Sequence, residues 1–319
     1  MVSKQRLIKL TQRLIRINSE NPGGDEARIA LFVQEYLCGL GLKTRIYEFK
    51  KRRSNVVAVL EAKNARRSLL ISPHLDTVPA GRNWKQGAFS ATIKNNRIYG
   101  LGATDCKGNV ACALEAINSI VEDKVSLGYT LVFAATADEE SGSGLGLIPL
   151  LDKGILKPDA AIILDADDFS IVITQKGLIH LKVQIQGRRA HGAYPWRGVN
   201  AIDIAIDIIK EIRLRKFSYI KNKYLKPPTV NTGTIKGGDK VNVVSDWCEF
   251  ELDFRFLPGT DAKDLLKEVR RIIKKRALDF KIQIEGIQEP YCIDENHPIV
   301  TQLKKAIKDF KIKPIIKVS

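Results

Sequence analysis

Residues 130–146 read TLVFAATADEESGSGLG. An apolar run, TLVFAAT, stops at three consecutive acids, Asp138, Glu139 and Glu140, and passes into a glycine-rich turn. Short apolar runs of this kind suit the strands of a sheet covered on both faces. Working outward from it, helical and strand patterns alternate. Toward the N-terminus the spacing predicts helices over 3–17, 25–41 and 109–122, and strands near 43–49, 54–61 and 68–72. On the other side it predicts a helix over 145–153 and a strand, AAIIL, at 160–164. The alternation predicts an α/β fold with a central, mostly parallel sheet, whose sites form at the strand ends.

From about Ser170 the texture changes. IVITQKGLIHLKVQIQG, a helix over 201–215, the strands TVNTGTIKGG and CEFELDFRFLPG, a helix over 261–276 and KIQIEGI follow in turn. Strand, helix, two strands, helix and strand predict a smaller α+β domain of ferredoxin-like type. A further helix over 297–310 resumes the first pattern. The expectation is a catalytic domain over 1–174 and 288–319, with a lid or dimerisation domain inserted over 175–287.

Three strand ends and a glycine-rich turn carry the chemistry. LLISPHLDTVP (69–79) places His74 and Asp76 two apart at one terminus, where extended residues point the same way and a carboxylate can hold the second nitrogen of a ligand histidine. GLGATDCKG (100–108) presents Asp105 before a helix, a position equally suited to an N-cap. Asp138, Glu139 and Glu140 would repel one another unless a cation or shared proton compensates, and Asp165 opens DADD after AAIIL. Each feature alone is ordinary. Together, one histidine and several acids at successive strand ends converge on one crevice and suggest a metal cluster. Nitrogen and carboxylate donors favour zinc, manganese or cobalt, and two ions need a bridging carboxylate.

Competing chemistries fit less well. Gly142, Gly144 and Gly146 form GxGxG, one residue short of a dinucleotide fingerprint, and the acids before it would repel a pyrophosphate. No GxSxG surrounds Ser141 or Ser143, so a serine nucleophile is not indicated.

Composition narrows the class further. The chain has 319 residues, 44% hydrophobic and 28% charged, which suits a globular protein of two domains. The first residues form an amphipathic helix, unlike a signal peptide, and no apolar run reaches the roughly 18 residues of a membrane span. Five cysteines, at 38, 106, 112, 248 and 292, show no CxxC spacing and read as reduced thiols. A cytoplasmic location is expected. Lys plus Arg 52 against Asp plus Glu 36 gives a net charge of +16. The basic residues are scattered over helical faces without any nucleic-acid-binding signature, so neither nucleic acid nor membrane is an expected partner.

The ordered motifs NSENPGG (18–24), HLDTVP (74–79), GATDCKGN (102–109), DEESGS (138–143), LDAD (164–167), RRAHGAYPWRGVNAI (188–202), NTGTIKGG (231–238), NVVSD (242–246) and DFRFLPGTD (253–261) resemble the M20 family of metallopeptidases and deacylases along essentially the whole chain. The resemblance implies two divalent ions, zinc first and cobalt or manganese next, with His74 and Asp165 on one, Glu140 on the other and Asp105 bridging. It implies that Asp76 orients His74 and that Glu139 is the general base. His191 would stabilise the oxyanion at a partner subunit's site in a homodimer, and Asn242 and Arg255 would contact a substrate carboxylate. His180 and His297 match no ligand position. Aspartate at 165 is the form found in several dipeptidase and aminopeptidase branches, whereas the motifs around His74 and His191 lean toward deacylases of N-acyl amino acids. The alternatives are a dipeptidase or aminopeptidase of the same family, and a non-catalytic binding relative. The family's fifth ligand, a histidine beyond the helix at 298–310, has no counterpart before the chain stops in KPIIKVS, so the sequence reads as a truncated copy with an incomplete second metal site.

Overall fold

The computed structural model describes residues 1–23, 25–166 and 169–318. Gly24, Asp167 and Ser319, which belong to motifs quoted above, lie outside them, as does Asp168. Contacts divide the chain into two compact units, meeting in sequence after Ala166.

The first unit contains α1 (Lys4–Ile15), α2 (Ala27–Gly39), β1 (Lys43–Lys50), β2 (Arg53–Leu60), β3 (Ser68–Ser72), a small hairpin of β4 (Thr92–Lys94) and β5 (Arg97–Tyr99), α3 (Lys107–Glu122), β6 (Thr130–Ala135), α4 (Leu147–Asp152) and β7 (Ala160–Ile163). The main sheet has the order β1-β2-β6-β3-β7. It is mixed rather than mostly parallel: β6, β3 and β7 are mutually parallel, whereas β1-β2 and β2-β6 are antiparallel. The cause is local. Only residues 51 and 52 separate β1 from β2, with Arg52 in the left-handed region at φ 66°, and so short a turn can only return the chain antiparallel.

Helices cover both faces of this sheet. Leu10, Leu14, Ile29, Val33, Leu37, Val110 and Leu114 from α1, α2 and α3 pack against Val56, Ala58, Leu131, Phe133 and Ala135. On the other face Leu150 and Leu156 cover Val57, Leu70 and Ala134. Burial on both sides is why TLVFAAT carries no polar alternation.

The second unit contains β8 (Ser170–Gln175), β9 (Gly177–Gln186), β10 (Ala190–His191), α5 (Ala201–Leu214), β11 (Thr229–Gly237), β12 (Val243–Val244), β13 (Trp247–Phe256), α6 (Ala262–Lys274), β14 (Asp279–Gln288), β15 (Tyr291–Cys292), α7 (Pro298–Asp309) and β16 (Ile315–Val318). Its antiparallel sheet, β11-β13-β9-β14, has the strand order of a ferredoxin-like fold. Along β9, Ile179, Leu181, Val183 and Ile185 face α5 and α6, while His180, Lys182 and Gln184 alternate outward. One face is therefore core and the other polar, the pattern expected of a sheet covered on one side.

β8 pairs with β15 and, in parallel, with β16, and α7 packs on this small sheet through Val300 and Leu303. Strands from 170–175 and from 315–318 thus pair with each other, and contacts group both with the second unit. No helix among the described residues is long and apolar enough to cross a membrane.

Candidate metal centre

Beyond β3 the chain stays clamped to the extension of β6. Leu75 N–H donates to the Thr136 carbonyl at 2.7 Å and Thr136 N–H to the Pro73 carbonyl at 3.1 Å. The NSENPGG loop is tied on from the other side by Thr77 N–H to Ser19 O and Asn21 N–H to Thr77 O, at 3.1 and 2.8 Å. His74 and Asp76 are consequently fixed and buried. Nε2 of His74 lies 2.8 Å from Oδ1 of Asp105. Its Nδ1 lies 3.0 Å from the backbone carbonyl of Asp76 and 3.5 Å from the Asp76 carboxylate. A ring that donates Nδ1–H to that carbonyl presents the Nε2 lone pair toward Asp105, the tautomer a metal ligand requires.

Asp105 is not a helix cap. The cap position of α3 is Cys106, which makes no side-chain capping bond, so the Asp105 carboxylate is left to face His74. Asp165 follows β7, and its position is held from α3: Asn109 Nδ2 donates to the Asp165 carbonyl at 2.9 Å and the Cys106 thiol to the Leu164 carbonyl at 3.1 Å. The tightest donor group among the described residues is His74, Asp105 and Cys106, whose ligand atoms all lie within 4.8 Å of one another. Glu140 and Asp165 stand in the same cluster of strand ends but outside that trio.

The three consecutive acids divide by role. Asp138, at φ 66°, is structural: its carboxylate accepts from Arg53 at 2.9 Å, from Asn21 at 3.3 Å and from Leu145 N–H at 3.0 Å. Arg53 also grips Glu26 through two bonds of 2.7 and 2.8 Å, making a buried Glu26–Arg53–Asp138 chain. Glu139 and Glu140 open a single 3-10 turn, and both their backbone N–H groups point at Asp76, at 3.1 and 3.2 Å. Asn21 Nδ2 adds a third bond to Asp76 at 2.9 Å. Gly146 closes the turn; a Cβ there would stand 1.9 Å from the Ala137 carbonyl oxygen. The glycine-rich segment therefore serves close packing of backbone.

Burial pushes the Glu139 carboxyl up, and the charges of Asp165, Asp76 and Asp105 push it further, with His74 opposing. Glu140 is raised by burial and then by Asp105, with Glu139 also contributing. Burial works against the charge on Asp76, but hydrogen bonds from His74 and Asn21 outweigh it and hold that carboxyl low. Asp105 is held low first by its bond to His74. Five mutually repelling carboxylates around one imidazole are what divalent cations would neutralise, and nitrogen and oxygen donors at strand ends suit zinc-like ions. The residues present fit a metal.

The sequence motifs gave no signal for Arg53 or Glu26, which lie outside them, and Asn21 carried no role although it sits within NSENPGG. In the second unit, His191 on β10 is exposed, accepts Ala193 N–H on Nδ1 at 3.1 Å and stands 6.0 Å from the Tyr194 ring. The Asn242 carbonyl accepts Gly192 N–H at 2.7 Å, so His191 and Asn242 belong to adjoining loops. Arg255 forks onto Asp253 at 2.9 and 3.2 Å and lines a cavity of about 540 Å³ with Arg213, Lys216, Phe217 and Thr229. His180 lies on the polar face of β9, 3.6 Å from Asp253, and His297 caps α7 by accepting Ile299 N–H.

A model of the peptidase dimerisation domain of the M20 type matches residues 173–281, and a model of peptidase family M28 matches 55–148. Acetylornithine deacetylase of Proteus mirabilis is 32% identical over 94% of this chain and 81% of its own length. In fold, a tripeptidase of Staphylococcus aureus superposes with a TM-score of 0.81 at 24% identity, covering 100% of this chain and 85% of its own. A dinuclear metal-binding peptidase of the M20 family from Bacillus subtilis gives a TM-score of 0.72 at 14% identity, over 99% and 82% of the two chains. With the strand-end cluster in place and the deacetylase aligned with 94% of this chain, the chain belongs to the M20 family of metal-dependent hydrolases of amide bonds.

Proposed function

We propose that this protein hydrolyses N-acyl amino acids, as a deacetylase or desuccinylase, using Glu139 as the general base beside two divalent ions. The observation that carries the mechanism is the pair of backbone bonds from Glu139 and Glu140 to Asp76. They fix adjacent carboxylates in one rigid turn, so that neighbours can take different tasks. His74 and Asp165 are read as donors to one ion, Glu140 to the other, and Asp105 between them. Divalent ions bound there would supply Lewis acidity toward the scissile carbonyl. Glu139, raised by burial, takes a proton from the attacking water and returns it to the leaving nitrogen. Asp76 holds the turn and, through its carbonyl, the His74 ring.

The deacylase assignment rests on the 32% identity to acetylornithine deacetylase, against 24% for the tripeptidase. Zinc fits the nitrogen and carboxylate donors, with cobalt or manganese as alternatives. A homodimer is supported by the match to a dimerisation domain, and a cytoplasmic location by the free state of Cys38, Cys106, Cys112, Cys248 and Cys292. The inserted-domain arrangement, with 175–287 as the lid, is supported by the pairing of β8 with β15 and β16.

The test is a substrate panel of N-acetyl amino acids, N-succinyl amino acids, dipeptides and tripeptides, assayed with zinc, cobalt and manganese. Turnover concentrated on the acylated substrates is expected. Turnover confined to free peptides would replace the deacylase reading with the peptidase one. In the same panel His191→Ala should lower kcat, and Asn242→Ala and Arg255→Ala should raise KM.

A further inference from the structure

We propose that the thiol of Cys106 is a direct donor to the metal ion held by His74 and Asp105, giving this site a sulfur ligand beside its nitrogen and oxygen ones. The inference rests on the metal-dependent reading of the same site and adds a ligand to it.

A buried cysteine is ordinarily a small apolar filler. Cys248 behaves that way, packed in the core between the second unit's sheet and helices. Cys106 does not. It is completely buried, yet it belongs to none of the apolar clusters among the described residues. Its neighbours are polar: Sγ donates to the Leu164 carbonyl at 3.1 Å and accepts from Asn109 Nδ2 at 3.5 Å.

Geometry carries the step to ligation. The donor atoms of His74, Asp105 and Cys106 all lie within 4.8 Å of one another. Donors at about 2.0–2.3 Å from one ion can be at most about 4.6 Å apart, so adjustments of a few tenths of an ångström admit a shared ion. On coordination the S–H bond breaks, a sulfur–metal bond forms and the proton leaves to solvent. A thiolate in the set shifts preference toward softer ions such as zinc and cadmium over manganese. The competing role is that Cys106 merely anchors Leu164, and hence Asp165, to the start of α3.

Cobalt(II) titration of the metal-free full chain, followed by absorption and by metal content, separates the two. A near-ultraviolet sulfur-to-cobalt charge-transfer band should grow with the first equivalent. It should be absent from Cys106→Ser and Cys106→Ala, and should persist when the exposed Cys38, Cys112 and Cys292 are replaced by serine. The preference for cadmium over manganese should fall at least tenfold in Cys106→Ser. Cobalt retained by the unaltered chain without the band, or a band that survives loss of Cys106, would overturn the sulfur ligand while leaving the metal site standing. Failure of the unaltered chain to retain cobalt would overturn both.

Discussion

Oδ1 of Asp76 accepts the backbone N–H of Glu139 at 3.1 Å, while its second oxygen takes Glu140 N–H at 3.2 Å. A side chain two residues past His74 therefore aligns the carboxylates at the end of another strand. The side-chain contact to His74 is longer, at 3.5 Å, so the orienting bond to the imidazole runs through the Asp76 carbonyl. Two strand ends are coupled through one buried residue, its carboxylate serving the turn and its carbonyl the imidazole.

Asp76→Ala keeps the carbonyl that holds His74 but removes both bonds to the Glu139–Glu140 turn and the 3.5 Å carboxylate contact to the imidazole, so it is expected to disturb the turn first. Outer partners of metal ligands are worth about 10- to 100-fold in metal affinity or activity. We expect metal affinity to fall within that range and kcat to fall as well, measured by competition with a chromophoric chelator and by steady-state kinetics. Unchanged values for both would show that the turn does not depend on Asp76.

The Glu26–Arg53–Asp138 chain should be a stability element. Arg53 is nearly inaccessible and neutralises two carboxylates, so removing it leaves buried negative charge without a partner, at a cost of about 3–5 kcal/mol. Urea denaturation of Arg53→Met should report a loss of that size. Adding Glu26→Gln to Arg53→Met should recover part of it, because one of the stranded charges is removed. A loss no larger than that of an exposed ion pair would contradict the assignment.

Acid should act through Glu115. Burial opposes its charge, but bonds from Arg6 and from Ser3 N–H outweigh that and hold its carboxyl below the ordinary value of 4.5. Ser3 N–H donates at 2.6 Å and Arg6 Nη2 at 2.9 Å. A lowered folded-state value means that the stabilisation is full above pH 4.5 and is lost as pH falls through the folded-state value. The stability difference between the unaltered chain and Glu115→Gln should therefore shrink as pH drops below 4.5. A difference that stays constant would remove Glu115 from the acid response.

Much of the fold was legible because periodicity reports burial. TLVFAAT and AAIIL announced strands of a covered sheet, and the one-sided alternation of LIHLKVQIQ announced the sheet beneath α5 and α6. Strand direction was less legible. The antiparallel β1-β2 pair follows from the tight turn at 51 and 52, which carries no glycine or proline to mark it, and the antiparallel β2-β6 pair joins strands far apart in sequence. At the candidate site, the strand ends marked the histidine and the acids as candidates, and the structure sets His74 2.8 Å from Asp105. The structural role of Asp138 within DEE was not legible, because it depends on Arg53, which arrives from a strand distant in sequence. Cys106 was hidden for a related reason: a lone cysteine has no spacing to read, and its polar surroundings exist only once α3 meets the end of β7.

The claim that Glu139 is the base and Glu140 a ligand is tested most directly by measuring metal content and turnover together in Glu139→Ala and Glu140→Ala. For Glu139→Ala the account predicts a fall in kcat of about 10²- to 10⁴-fold with metal content unchanged, since a general base contributes to the chemical step. For Glu140→Ala it predicts loss of bound metal along with activity. Equal metal loss in the two variants, or metal loss in Glu139→Ala alone, would contradict it.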